Sequence, residues 1–243
     1  MILSLAVVFF AASLSAQQNS FYIGARGGAN TSKFKFTEDL QELYPTSNAV
    51  FGMNGGFDMG LQLGNWTIAS GVHYIQKGGQ YQTDNFDDNG SVGYFTADEK
   101  LHFISMPVLL GYRDYLTSNV GWSLAAGPSF NFGLDGKLDE TTEFFGTDET
   151  EVQNFKVAFG QGVNEDYKPM QVGFQLTPGL FVDLNNRSKL HFNVTWDFGT
   201  SDMFNPRYKD ANDFFINNKG TQVHKTTMFT IGYEYHFQFQ DRY

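Results

Sequence analysis

Residues 170–184, MQVGFQLTPGLFVDL, alternate between apolar and polar side chains at almost every step. The even-numbered positions are all apolar, whereas the odd-numbered positions are polar or glycine, with Phe181 as the exception. Alternation with period two is typical of a β-strand that has one apolar and one polar face. The segment exceeds the roughly 9–11 residues that a tilted strand needs to cross a membrane. It therefore predicts a strand of membrane-spanning length.

The same alternation recurs along the rest of the chain, so that we count about eight strands of this kind. They are predicted at residues 21–34, 51–63, 66–78, 100–112, 122–133, 170–184, 190–199 and 229–239. The segment 21–34 is weaker and rich in glycine, and 100–112 is apolar on both faces. Strands with two such faces predict an all-β protein.

The connections between these strands are of two kinds, which alternate along the chain. Three are short, at 64–65, about 113–119 and about 185–189, and four are long, at about 35–49, 82–98, 134–169 and 204–221. Short periplasmic turns and long extracellular loops alternate in this way in transmembrane barrels. The sequence therefore predicts an eight-stranded antiparallel up-and-down transmembrane β-barrel in the bacterial outer membrane.

The composition fits a barrel with lipid outside. Charged residues are 17% of the chain, against about 25% in an average soluble domain. The polar face carries mostly Gly, Ser, Thr, Asn and Gln, which suit a narrow interior better than a watery exterior. A soluble lipocalin-like barrel has the same strand number, but its faces would be reversed. The net charge of −10 argues against a nucleic-acid partner.

The first 16 residues, MILSLAVVFFAASLSA, predict a signal peptide followed by a barrel domain at 17–243. The apolar run is too short to span a bilayer, and small residues follow it before a plausible cleavage point after Ala16. One feature departs from the usual pattern, because no Lys or Arg precedes the apolar run. The alternative interpretation is a buried first strand or helix.

Four segments, taken in order, carry a resemblance to a known family. They are GARGGAN at 24–30, GVHYIQKG at 71–78, LHFISMPVLLGY at 101–112 and WSLAAGP at 122–128. Their order and spacing resemble the PorT-like outer-membrane barrels of Bacteroidota, over about residues 21–243. The resemblance implies an outer-membrane barrel, often described as a porin-family protein, and some relatives belong to type IX secretion. It implies no catalytic residues.

The charged residues on the polar faces are the first candidate site, a polar network in the lumen. They are Arg26, Asp58, His73, Lys77, Asp183, His191, Asp197, Glu234 and His236. Charges inside a low-dielectric lumen must be paired. One interpretation is a salt-bridged plug that stiffens a closed barrel, the second is a narrow polar path for ions or small solutes, and the third is a buried catalytic group.

The second candidate site is an acidic extracellular loop within 134–169. Its predicted members are Asp139, Glu140, Glu143, Asp148, Glu149 and Glu151. Such a cluster suits divalent cations, which also bridge lipopolysaccharide, but it lacks the spacing of an EF-hand. The alternative is a solvated surface loop. Expected partners are outer-membrane lipid, lipopolysaccharide and a protein that docks on the loops or periplasmic turns.

No motif predicts catalysis or a cofactor. The sequence has no Cys, and therefore no disulfide or thiolate metal site, and no G-x-S-x-G, P-loop or HExxH pattern. Two Ser–His neighbours, His102 with Ser105 and His191 with Ser201, leave a lipid-modifying hydrolase as a minor hypothesis. The leading hypothesis is a structural or interaction barrel, and the runner-up is a narrow channel or a type IX secretion accessory.

Overall fold

A computed structural model describes residues 19–36, 46–88, 91–146, 150–162, 165–204 and 221–239. These residues form ten strands. They are β1 (Ser20–Phe36), β2 (Thr46–Asn48), β3 (Val50–Leu63), β4 (Trp66–Asp88), β5 (Ser91–Tyr115), β6 (Val120–Phe144), β7 (Thr150–Val157), β8 (Met170–Asn185), β9 (Ser188–Gly199) and β10 (Gln222–Gln238). The predicted signal peptide lies outside the described residues. The described part contains no helix long and apolar enough to cross a membrane.

Eight of the ten strands close into a ring. Each pairs antiparallel with the next ring strand along the chain, in the order β1, β3, β4, β5, β6, β8, β9 and β10, and β10 pairs back to β1. The first and last ring strands pair over a long register, from Ser20 with Gln238 to Phe36 with Gln222. The predicted eight-stranded up-and-down barrel is confirmed.

The outer surface of the ring is an apolar belt. Because successive side chains of a strand point to opposite sides, alternate positions of every ring strand face outward. The exposed belt residues include Phe51, Phe57, Ile68, Val72, Val108, Leu124, Phe174, Leu180, Phe192, Phe229 and Ile231. Phe181, the exception in the alternation of β8, faces inward and is buried against Tyr115 and His191.

The short connections lie at one end of the barrel, which we call the short-turn end. Gly64, in the turn between β3 and β4, has φ 62°, a left-handed conformation that glycine adopts at little cost. Next to this turn, the Trp66 ring meets Tyr112 edge-on at 5.3 Å, and Tyr112 lies 5.8 Å from Trp122. These rings form an aromatic cluster at the border of the belt, as expected at a membrane–water boundary.

Two predicted loops are wrong, because strands continue through them, and the predicted loop at about 35–49 contains β2. β4 reaches Asp88 and β5 begins at Ser91, so the predicted loop at 82–98 is a hairpin; the predicted loop at 134–169 contains the end of β6 and all of β7. β2, residues 78–88, 91–100 and 137–144, and β7 form a sheet beyond the belt, which we call the outer sheet. Both its faces carry many polar residues, so the alternation that marks a lipid-facing strand is absent there.

We expect a charge in the middle of the belt to destabilise the barrel. Val108→Lys places an ammonium group there, and such a substitution costs roughly 2–4 kcal/mol near the bilayer midplane but about 0–1 near its borders. The control is Leu116→Lys, in the exposed turn after β5. Urea unfolding in lipid vesicles measures both, and equal losses for the two variants would contradict the assignment of the belt.

Candidate functional site

Three clusters of charged side chains cross the lumen, and the first lies toward the short-turn end. Glu234 accepts hydrogen bonds from both terminal nitrogens of Arg113, at 2.8 and 2.9 Å. Nε2 of His191 lies 3.0 Å from Glu234 Oε2, and Nε2 of His236 lies 3.3 Å from the same oxygen. The Arg113 guanidinium stacks on the Tyr22 ring at 5.0 Å. One carboxylate thus joins cationic and imidazole groups from β5, β9 and β10.

The second cluster joins β1, β3 and β4 in the middle of the barrel. His73 Nε2 lies 2.9 Å from Asp58 Oδ1, and Arg26 donates from Nη2 to His73 Nδ1 at 2.9 Å. Arg26 Nε lies 3.4 Å from Asp58 Oδ2. Gly71 stands opposite Asp58, and a Cβ there would come within 2.7 Å of His73 Nε2. The missing side chain therefore leaves room for the Asp58–His73 hydrogen bond.

The third cluster lies toward the end of the barrel opposite the short turns, which we call the long-loop end, and it is fully buried. Lys77 donates to Asp197 Oδ2 at 2.6 Å and to His224 Nε2 at 2.7 Å, while Ser129 donates to Asp197 Oδ1 at 2.9 Å. Lys77, Asp197 and His224 are exposed by 1% or less. Charges as buried as these are tolerated only when they are paired and hydrogen-bonded. β4, β6, β9 and β10 are thereby joined across the lumen.

A hydrophobic cluster closes the barrel above the third charged cluster, and we call it the outer cap. Its buried members are Phe34, Phe36, Leu101, Phe103, Val157, Tyr167 and Met203. Gly160 N donates to Tyr167 O at 2.9 Å within the loop that follows β7, and Met203 N donates to Gln222 O at the start of β10, also at 2.9 Å. The cap places packed aromatic rings across the long-loop opening of the lumen.

One carboxyl group is buried in the outer cap. Glu99 lies on β5 beyond the belt, and its neighbours Asp98 and Lys100, 3.9 Å apart, are partly exposed on the other face of the strand. Glu99 accepts a hydrogen bond from the Tyr167 hydroxyl at 3.0 Å, and that hydroxyl lies 3.3 Å from Gln222 Oε1. Burial raises the pKa of Glu99 to about 8. The carboxyl group is therefore mostly protonated at neutral pH.

The structure brings eight of the nine predicted lumen residues into the three clusters. The ninth, Asp183, lies at the short-turn mouth, where its Oδ1 is 2.5 Å from Lys189 Nζ and its Oδ2 accepts a hydrogen bond from Tyr115. Sequence reasoning missed Arg113, which it assigned to a turn, and His224. Both residues lie at inward-facing positions of their strands. The alternation would have identified them if the predicted strands at 100–112 and 229–239 had been longer.

The acidic segment is not a loop in the described residues. Asp139, Glu140 and Glu143 lie on β6 and Glu151 on β7, whereas Asp148 and Glu149 lie outside the described residues. Lys137 pairs with Asp139 at 2.7 Å. No group of three or more His, Asp or Glu side chains in the described part is placed to hold a metal ion.

The two Ser–His neighbours do not come together. His102 points outward, where it hydrogen-bonds the Tyr74 hydroxyl, while Ser105 points inward and is fully buried. His191 lies near the start of β9, in the first charged cluster, and Ser201 lies beyond the far end of that strand. Neither pair has the contact between nucleophile and base that covalent catalysis requires.

A closed eight-stranded barrel with an apolar belt outside and paired charges inside defines an integral outer-membrane β-barrel protein. Residues 15–205 match a family model described as "Outer membrane protein beta-barrel domain". The match spans more than half of the chain, which therefore belongs to this family and is a protein of the bacterial outer membrane. No curated protein matches the chain.

Solved structures with a similar fold include three outer-membrane proteins. Neisserial surface protein A is 14% identical, with a TM-score of 0.46, and the match covers 89% of this chain and 97% of that one. OprG from Pseudomonas aeruginosa is 11% identical, with a TM-score of 0.44 and coverage of 91% and 97%. The outer-membrane protease OmpT from Escherichia coli is 9% identical, with a TM-score of 0.37 and coverage of 92% and 98%.

We predict that the third cluster responds to single and double substitutions differently. Asp197→Asn leaves the Lys77 charge buried without its partner, which costs roughly 3–5 kcal/mol. The double variant Lys77→Met, Asp197→Leu removes both charges and should cost less. Urea midpoints in lipid vesicles give the comparison. A double variant less stable than Asp197→Asn would contradict the pairing.

Glu99→Gln should change how stability depends on pH. The native pKa of about 8 lies above the ordinary 4.5, so the folded protein keeps a proton that the unfolded chain loses in this window. Wild-type stability therefore falls as pH rises from about 4.5 to about 8, and the glutamine variant escapes that loss. The measurement is the urea midpoint from about pH 5 to 9, with the exposed Glu151→Gln as control. A constant difference between wild type and Glu99→Gln at all pH values would contradict the assignment.

Proposed function

We propose that this protein is a closed, non-catalytic barrel that anchors the outer sheet at the cell surface, where it docks another protein. The observation that carries the proposal is the filled lumen. Charged clusters join strands on different sides of the ring at three levels, and the outer cap covers the long-loop end. The barrel has room for side chains and little else, as expected for eight strands.

The alternative function is a narrow channel for ions or small solutes. A solute that crosses the lumen must separate Arg113 from Glu234, Arg26 from Asp58 and Lys77 from Asp197. Breaking a buried pair leaves uncompensated charge, which costs several kcal/mol each time. These barriers favour the closed barrel over the channel.

The outer sheet ends on β7, whose second edge has no partner strand among the described residues. Among the described residues β7 pairs with β6 alone, and all its residues except Val157 are exposed. An exposed edge presents unpaired N–H and C=O groups that accept a further strand. We take β7 as the docking edge, and its position beyond the belt places it outside the lipid.

The chemistry around β7 selects the partner. Glu140, Glu143 and Glu151 lie toward one end of the β6–β7 pair, where acidic groups prevail, whereas Lys137 and Lys156 oppose each other at the other end. The exposed side chains of Val152 and Phe155 lie on opposite faces of β7. Opposite charge steers a partner to such a surface, and apolar side chains add affinity. The fitting partner is an extended protein segment that alternates basic and apolar residues.

Two synthetic peptides test this docking edge. One alternates Lys and Val, the other alternates Glu and Val, and fluorescence anisotropy measures the binding of each to the full chain in detergent micelles. We expect the Lys–Val peptide to bind more tightly, because its charge complements the acidic edge. Val152→Lys combined with Phe155→Lys should abolish binding, whereas the control Leu116→Lys at the opposite end should not.

Equal binding of the two peptides, or binding unchanged in the β7 variant, would contradict the proposed edge. Binding through electrostatics alone would persist in a Phe155→Ser variant, whose charge is that of the wild type. The proposal expects that variant to bind less tightly, since Phe155 is 43% exposed on the docking strand.

The resemblance to PorT-like barrels supports a finer proposal, that the docked partner belongs to a larger outer-membrane assembly. A role as an accessory of type IX secretion is the specific form of that proposal. Its support is the ordered set of sequence segments at 24–30, 71–78, 101–112 and 122–128.

A further inference from the structure

A small cavity lies inside the barrel beside the second charged cluster. Arg26 and His73 from that cluster line it, together with Asn54, Gln175, Thr195 and Thr230. Its volume is about 10 Å³. That is close to the space that the centre of one water molecule needs, and it is too small for a solute.

Two side chains that line the cavity have no hydrogen-bond partner among the described residues. Gln175 is 1% exposed, and neither its amide nitrogen nor its amide oxygen has a hydrogen-bond partner in the described part of the chain. The Thr230 hydroxyl is buried and likewise unpartnered. Buried polar groups are almost always hydrogen-bonded, so these atoms require a partner that enters the cavity.

The neighbours of Gln175 make their hydrogen bonds to other groups. Across the sheet it stands opposite Gly127, which has no side chain, and Asp197, whose two oxygens accept from Ser129 and Lys77. The hydroxyls of Thr177 and Thr195 are 3.0 Å apart and bond each other. Among the described residues, none of these wall side chains hydrogen-bonds the Gln175 amide.

We propose that the cavity binds one ordered water molecule, held by Gln175, Thr230 and the second charged cluster. An amide and a hydroxyl can each donate and accept, as a water molecule does, so the three groups match in hydrogen-bonding capacity. The Arg26 guanidinium disfavours a cation at this point, and its pairing with Asp58 disfavours an anion. The water joins β8 to β10 and to the charged cluster on β1 and β4, across the lumen instead of along the wall.

Nuclear magnetic resonance tests the site in the intact barrel. The protein is labelled with ¹⁵N-glutamine, and Gln175→Met identifies the Gln175 side-chain NH₂ signal by its disappearance. A bound water gives that signal a rotating-frame cross-peak to water with a sign opposite to the diagonal, whereas proton exchange gives the same sign. We expect the opposite-sign peak in the wild type.

Two variants then locate the water. Thr230→Val removes a hydroxyl of the site without changing side-chain volume much, and we expect the cross-peak to be lost. Thr226→Val is the control, because the Thr226 hydroxyl bonds Ser32 at 3.0 Å and does not line the cavity; its cross-peak should remain. A folded wild-type barrel without the peak, or a peak that survives Thr230→Val unchanged, would overturn the proposal.

Discussion

The wall of this barrel is a single sheet, so each strand must satisfy lipid on one side and a narrow lumen on the other. That constraint fixes the character of almost every position in the belt. Outward positions such as Phe57 and Leu180 are apolar and exposed, while inward positions such as Lys77 and Asp197 are polar and buried. Backbone groups in lipid have no water to bond, which is why the ring closes between β1 and β10. The inward charges are paired because the narrow lumen buries them away from water.

The long strands were predictable because lipid and lumen impose opposite demands on alternate residues. β8 and β9 run from Met170 to Asn185 and from Ser188 to Gly199, and the sequence pattern places both within one or two residues. The outer sheet was not predictable in this way. Beyond the belt both faces of a strand meet water or the cap. The pairing of β4 with β5 continues there without the alternation of apolar and polar residues that would predict a strand.

The members of the lumen network could be predicted, but not their partners. Inward parity identifies Arg26, Asp58 and His73 as lumen residues, yet their contacts depend on the stagger between β1, β3 and β4. The stagger also brings Arg113, near the end of β5, to Glu234 on β10, 121 residues away along the chain. A pairing of that kind crosses the lumen instead of following the wall, so neither alternation nor strand order indicates it.

In this account the lumen stabilises the barrel, and the outer sheet provides the surface that binds a partner. The three charged clusters and the outer cap tie the ring together from inside, so the strands that project beyond the belt stand on a rigid support. A rigid support favours binding at β7. When a partner adds a strand to an edge that is already ordered, less conformational entropy is lost on binding. A closed lumen is therefore compatible with an exposed strand edge at β7 that binds a partner.

Single-channel recording in a planar lipid bilayer tests the central claim, that paired charges and the outer cap close the lumen. The purified, refolded wild-type protein is inserted at neutral pH, with folding checked by its heat-modifiable migration in electrophoresis. The account predicts a silent bilayer. Stable and reproducible conductance steps, shifted in size when Arg26 or Asp58 is replaced, would show an open polar path and contradict it.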